Sequence, residues 1–363
     1  MKTLKESLLD IDSVQSSIEP IKIIGDWCKE NIKGSYKIDP KTLDINSNGL
    51  ILISNKQLTE FPEYIHFGTV EKFDCSGSNN LTSLRGAPKE VESFDCSWCV
   101  NLTSLRGAPE KVECFSCYCC NNLTSLEGAP KEVGGDFLCY GCDSLTSLKG
   151  APKKVGGYFC CDYCNNLTSL EGTPKKVGGD FNCSECNNLT SLKGSPKEIG
   201  GDFHCSGCNN LTSLEGAPEK VCGYFDCNKC SSLTSLEGAP KKVDGGFSCD
   251  YCNNLTSLKG APKEIGGRFS CSFCKNLTSL EGSPKEVKGD FRCWGCNNLT
   301  SLKGAPEKVG TDFNCSECTN LTSLEGAPEK VGGYFYCYNC GQQFTKNDVK
   351  KVCNILHNIV IKG

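Results

Sequence analysis

The chain has 363 residues, 39 Lys+Arg against 43 Asp+Glu, and a formal net charge of −4. Near-balanced charge offers no basic field for a polyanion, so nucleic acid is not an expected partner. No run of 18 apolar residues occurs, so no transmembrane helix is expected, and Met1-Lys2-Thr3-Leu4-Lys5-Glu6-Ser7 lacks the apolar core of a secretory signal.

Residues 1–48 read as an N-terminal cap of helix and strand. Two helical patterns fall within residues 1–35. The second, Ile18 to Ile32, carries Pro20 in its first turn, where a missing N–H is harmless, and sets Ile21, Ile24, Trp27 and Cys28 on one side. Residues 36–49 then read as strands around a turn at Asn46-Ser47-Asn48-Gly49.

Residues 49–341 are repetitive. Leu-Thr-Ser-Leu begins at Leu81, Leu102, Leu123, Leu145, Leu167, Leu189, Leu211, Leu233, Leu255, Leu277, Leu299 and Leu321, with a degenerate copy at Leu58. From Leu123 onward every interval is 22 residues. The unit reads Phe-x-Cys-x-x-Cys-x-Asn-Leu-Thr-Ser-Leu-x-Gly-Ala-Pro-x-x-Val-Gly-Gly-x, and thirteen such rungs run from Leu50 to about Cys340. Alternation in Phe-x-Cys puts both residues on one face of a short strand. The second Cys and the two leucines follow inward, then Pro and Val around the back. One turn buries one apolar ring and has no second layer, so only stacking on neighbouring turns removes that ring from water. Thirteen of the 17 phenylalanines, Phe73 to Phe335, fall in one column. At the far end, residues 342–363 read as a C-terminal cap helix: Thr345-Lys346-Asn347-Asp348 starts it, and Val349, Val352, Cys353 and Leu356 recur at helical spacing.

The first rung, Leu50-x-Leu52-x-x-Asn55 followed by Leu58, resembles the leucine-rich repeat signature L-x-L-x-x-(N/C)-x-L. Later rungs replace the second Leu and the ladder Asn with Cys and insert one residue before the following Leu. The Leu-Thr-Ser-Leu-x-x-x-Pro segment is similar to the helix-free repeats of bacterial secreted effectors. The unit as a whole, together with Asp26-Trp27-Cys28-Lys29-Glu30 and Tyr36-Lys37-Ile38-Asp39-Pro40, resembles repeat proteins of uncertain function encoded by tailed bacteriophages. This resemblance implies a mainly β leucine-rich-repeat solenoid of about 13 rungs. A parallel sheet would form one face, few or no helices the other, and helical caps both ends. With no export signal read in the sequence, the expected location is the cytoplasm, that of a host cell if the source is viral, with the virion as another place for it. Met1 to Asp10 is similar to the Met-Lys-Thr-x-x-Glu start of phage capsid-targeting sequences and stands as a targeting segment if it is not part of the cap.

Twelve rungs carry Cys-x-x-Cys, from Cys96/Cys99 to Cys337/Cys340. Two such pairs can make a thiolate zinc site, so zinc or an iron–sulfur cluster between rungs is one reading. The reading preferred here has no cofactor. The first Cys replaces a core Leu and acts as a small buried hydrophobe, while the second takes the ladder position that satisfies turn backbone groups. Rung two keeps Cys75 with Ser78 in the second place, and rung one has Leu52 and Asn55, so either thiol is dispensable. Like cysteines in stacked columns also come within disulfide range. Asn-Leu-Thr reads as a turn, and Lys and Glu beside each Pro as a solvated face. His66, His204 and His357 converge on nothing, so no catalytic site is expected.

Variation between rungs concentrates before Phe, after it, and at the two places between the cysteines. Those four columns hold Trp98, Tyr118, Tyr140, Tyr158, Tyr163, Tyr224, Tyr251, Phe273, Trp294, Tyr334, Tyr336 and Tyr338, among Ser, Asp, Asn, Gly, Arg292 and His204. Rigid rings among small polar groups are the chemistry of a protein-binding face. Tyr334-Tyr336-Tyr338 with Trp294 is the expected hot region. The expected function is non-enzymatic recognition of a protein partner. A metal- or redox-loaded structural solenoid and a carbohydrate-binding repeat protein are the alternatives, and oligomeric state is left open.

Overall fold

The computed structural model describes residues 18–361; the possible targeting segment Met1 to Asp10 and the first expected helical pattern lie outside the described residues. The chain divides into two compact units. One comprises residues up to Asn165 with Gly172–Pro174, the other Asn166–Glu171 and the residues from Lys175 onward. Each is a β-solenoid whose rungs pair in parallel.

The first unit opens with a helix, Ile18–Asn31, that buries Ile24, Trp27 and Cys28 as its spacing predicts. Asn31 joins helix to rung: its Nδ2 donates to the Trp27 carbonyl at 2.8 Å, and its Oδ1 accepts from Asn55 Nδ2 at 2.8 Å. Strands β1 (Ile32–Lys33) and β2 (Lys37–Ile38) pair antiparallel with β3 (Ile45–Ile53), and β3 pairs parallel with β4 (Phe67–Asp74). The turn expected at Asn46–Gly49 is absent; those residues lie inside β3, which absorbs them through two register shifts against β4. The chain reverses earlier. Asp39 Oδ1 accepts the N–H groups of Lys41 and Thr42 at 2.7 and 3.1 Å, and Leu43 N–H closes on the Asp39 carbonyl at 2.8 Å. An Asp before Pro, whose φ is already fixed, makes the stronger turn.

Strand length follows a count of residues. Two residues separate Val from Phe in Val91–Phe94 and Val112–Phe115, and β5 (Glu90–Asp95) and β6 (Lys111–Ser116) run unbroken through both. Three residues separate Val133 from Phe137, and the strand splits into Glu132–Val133 and Phe137–Leu138. The extra residue acts as a bulge. Glycine fills the gap because rungs touch there: a Cβ on Gly156 would run into the backbone of Gly134. The valines therefore form a strand ladder of their own, Val112↔Val133↔Val155, beside Phe115↔Phe137↔Phe159, and do not simply line the back.

The second unit repeats this double ladder from Lys176–Val177 and Phe181–Asn182 to Lys330–Val331 and Phe335–Tyr336. Its end departs from a plain cap helix. Thr345 caps the helix Lys346–Val352 in a reciprocal box with Asp348, and the chain then adds Asn354–Ile355 and Ile359–Val360 to the ladders, opposite Lys330–Val331 and Phe335–Tyr336. Ile359 thus takes the Phe place of one more rung. Leu356, expected on the helix, lies beyond it and is 60 % exposed.

The core is a stack. In the first unit Phe73, Phe94 and Phe115 lie 5.5 Å apart at 8–9° between planes. In the second, centroids from Phe181 to Phe335 are 5.0–5.6 Å apart. Each such pair adds roughly 0.5–1.5 kcal/mol beyond burial.

Candidate functional site

The turn after each Phe strand builds the outward face, and the second cysteine holds it. Cys99 Sγ donates to the Cys75 carbonyl at 3.2 Å, Cys230 Sγ to that of Cys205 at 3.2 Å, and Cys274 Sγ to that of Cys249 at 3.1 Å. The thiol replaces the ladder asparagine by reaching back one rung. The first cysteine of one rung therefore faces the second of the next, in addition to the like cysteines stacked in each column as expected. Burial, with the facing thiol of the next rung, pushes Cys96, Cys205, Cys227 and Cys271 far above the ordinary thiol range. Among the described residues no disulfide forms, and no group of three or more His, Cys, Asp or Glu side chains is disposed around a common point as a metal would require.

The second residue between the cysteines is left-handed in every rung that carries this turn. Gly77, Gly141, Gly207 and Gly295 occupy the place with φ of 64–70°. So do Trp98 (61°), Tyr163 (54°), Tyr251 (61°) and Phe273 (58°). The turn fits glycine, and a bulky ring there is strained. The conformation aims the side chain outward: Trp98 is 52 % exposed, Tyr163 54 % and Tyr251 44 %.

The structure gathers the expected residues into groups. In the first unit Trp98 meets Tyr118 edge-on at 6.4 Å, and Tyr118 stacks on Tyr140 at 4.5 Å. Burial, with Tyr118 beside it, pushes the Tyr140 hydroxyl up to about 12. Tyr158 donates its backbone N–H to Asp136 Oδ1 at 2.8 Å, and Tyr163 stands outward. In the second unit Tyr251 stacks on Phe273 at 4.8 Å and Phe273 meets Trp294 at 4.9 Å. The Trp294 indole Nε1–H is buried without an acceptor. Tyr334 and Tyr336 approach to 5.8 Å, but the ring against the other side of Tyr334 is His357, at 5.7 Å. Tyr338 does not join those rings. It shares the first place between cysteines with Trp294, whereas Tyr334 and Tyr336 flank Phe335.

Polar ladders run between the rings. Asp180, Asp202 and Asp312 each accept the backbone N–H of the residue 22 positions on, at 2.8, 2.6 and 2.8 Å. Asp250 accepts from Ser270 Oγ and Ser272 N–H, both at 2.6 Å. His204 lies with Nε2 3.8 Å from Asp202 and Nδ1 3.7 Å from Asp226. Asp226, then burial working the other way, leaves the imidazole above its ordinary range.

Three participants escaped sequence reading. Tyr224 extends over the next rung toward Arg268, whose guanidinium lies 5.8 Å from its ring centre. Gly246 lies between them, and a Cβ there would overlap the ring. A signal existed, since Gly246 is the lone Gly and Arg268 the lone Arg of the column before Phe. His357 could not be placed, because nothing in the repeat forecasts the extra rung.

No family model matches the chain, and no curated protein matches it. Among solved structures it is similar to a leucine-rich repeat protein from Bacteroides ovatus ATCC 8483, at 15% identity and a TM-score of 0.46, over 90% of this chain and 98% of that one.

Proposed function

We propose that the chain is a non-enzymatic scaffold that binds a protein partner through the aromatic and polar face of its rungs. The observation that carries this reading is the left-handed column. Trp98, Tyr163, Tyr251 and Phe273 hold a left-handed conformation that sister rungs give to Gly77, Gly141, Gly207 and Gly295, and that Cys119, Glu185, Lys229, Glu317 and Asn339 also hold. An L-residue there costs about 1–2 kcal/mol, and such strain persists mainly where a surface is used. Rings that merely covered the core would gain more at the unstrained place one residue earlier, where Tyr118 and Trp294 sit. The exposed Arg268 nearby supplies a polar contact of the kind protein recognition uses. The resemblance to phage repeat proteins favours a host or virion protein as the partner.

A photo-crosslinking residue placed at Tyr251, with a control at the back-face residue Lys285, identifies the partner; the purified partner is then titrated. The paired change Tyr251→Gly, Phe273→Gly is expected to weaken binding at least tenfold while leaving the melting temperature unchanged or higher. Unaltered affinity, or a melting temperature several degrees lower, refutes the reading and returns these rings to packing.

A further inference from the structure

We propose that the cleft beside the C-terminal helix binds a small anion carrying a diphosphate group. The cleft is a cavity of about 700 Å³ lined by Glu329, Lys346, Lys350, Lys351, His357 and Asn358 with apolar walls behind them. That volume exceeds what one phosphate fills and lies within the range of small-molecule sites.

Its charge differs from that of the rungs. Some rung lysines pair with glutamates one rung away, as in Lys197–Glu219 at 2.7 Å, Lys303–Glu325 at 3.1 Å and Lys285–Glu307 at 3.6 Å, and along the rungs lysines are interspersed with acids even where, as at Lys308 and Lys330, no pair forms. In the cleft, Lys346 and Lys350 have no carboxylate within 4 Å among the described residues. Lys351 has Asp348 at 3.6 Å, and Glu329 is the single acid of the lining. Three lysines against one glutamate line the cleft, in a chain whose net charge is −4. Lys346 is also positioned. Its Nζ donates to Asn358 Oδ1 at 3.2 Å, an oxygen already fixed by the Ile359 N–H at 2.8 Å. Lysine ammoniums act as point-charge donors to phosphate oxygens, and two unneutralised ones favour a ligand with at least two adjacent negative charges. At the rim, the exposed His357 ring is steadied by Tyr334, with 16° between planes. That flat surface would distinguish a nucleoside diphosphate from free pyrophosphate.

The test is calorimetric titration of the full chain with pyrophosphate and with ADP, at matched ionic strength. Saturable binding of either is expected. Tighter ADP binding assigns the diphosphate to a nucleotide, and equal or tighter pyrophosphate binding assigns it to the free anion. The paired variant Lys346→Gln, Lys350→Gln should lose at least tenfold affinity, and Lys285→Gln, Lys303→Gln should lose none. Melting curves check that both variants fold, which these exposed positions permit. Absence of saturable binding at millimolar ligand, or equal loss in the two variants, overturns the proposal.

Discussion

Nη2 of Arg268 donates a hydrogen bond to the Tyr224 hydroxyl at 3.2 Å, joining residues 44 apart in sequence across an intervening rung. The contact exists because Gly246, under the Tyr224 ring, has no Cβ. A cation–π contact at an exposed place contributes about 0.5–1 kcal/mol. A double-mutant cycle of Tyr224→Ala and Arg268→Gln in urea is therefore expected to show coupling of about that size. In a Gly246→Asp background, which restores the residue of the rungs at Asp202 and Asp290, the coupling should vanish. Coupling that survives the substitution would show that the glycine does not admit the ring.

The left-handed column allows a test inside the repeat. Lys229 and Glu317 hold φ of 59° although neither is a glycine or a ring, while Gly207 holds 70°. Lys229→Gly and Glu317→Gly are expected to raise stability by up to about 1 kcal/mol, the relief of strain being offset in part by a freer unfolded chain. Gly207→Ala should lower it by about as much. Denaturant midpoints report all three, and signs opposite to these would mean the turn is not strained. Any shortfall of Tyr251→Gly relative to Lys229→Gly then measures the Tyr251–Phe273 stack.

Period and alternation were enough to read the solenoid, because a rung that cannot bury its Phe, Cys and Leu alone has one way to do so. Helical spacing likewise placed Trp27 and Cys28 in the cap and a helix start at Thr345. What stayed hidden depends on backbone rather than on side-chain type. Left-handed φ between the cysteines is shared by Gly, Trp, Lys and Glu, so composition cannot reveal it. The split strand was countable, as one extra residue between Val133 and Phe137, yet only the bulge explains what the count does. The Tyr224–Arg268 contact needed knowledge of which way a ring leans. Near-identical rungs likewise give no hint that the chain divides near Asn165.

The thiols should report burial directly. Cys114 and Cys222 are exposed, Cys119 and Cys340 are half-buried, and the others are buried. With an aromatic disulfide reagent under native conditions, Cys114 and Cys222 are expected to react first and Cys119 and Cys340 more slowly. The rest should react only on unfolding, since burial keeps the reagent from their sulfurs. Mass-mapped labelling separates the classes. Rapid native labelling of Cys205 or Cys249 would contradict the buried ladder.

His204 supplies the pH dependence. Its imidazole faces Asp202 and Asp226, with Asp180 further along the same ladder, and Asp226 raises its pKa above the ordinary value. For Asp226, burial acts upward but His204 and the Asn228 N–H, which donates to it at 2.9 Å, together outweigh it, so its carboxyl ends below the usual range. A raised histidine stabilises the fold fully below the unfolded pKa of about 6.5, and that contribution is lost as pH climbs through the folded value. The lowered aspartate contributes above its unfolded value of about 3.9 and fails as pH falls through the folded one. Both partners are charged between those limits. The stability gap between the natural chain and His204→Gln should therefore be widest between the two unfolded values and close as pH rises through the raised histidine value. At 3.7–3.8 Å, with a third of the side chain exposed, the pairing is electrostatic and screened. Its size is then below about 1 kcal/mol, and added salt should shrink it. Urea midpoints from pH 4.5 to 8 measure the gap, and one that widens toward alkaline pH would reverse the sign of the argument.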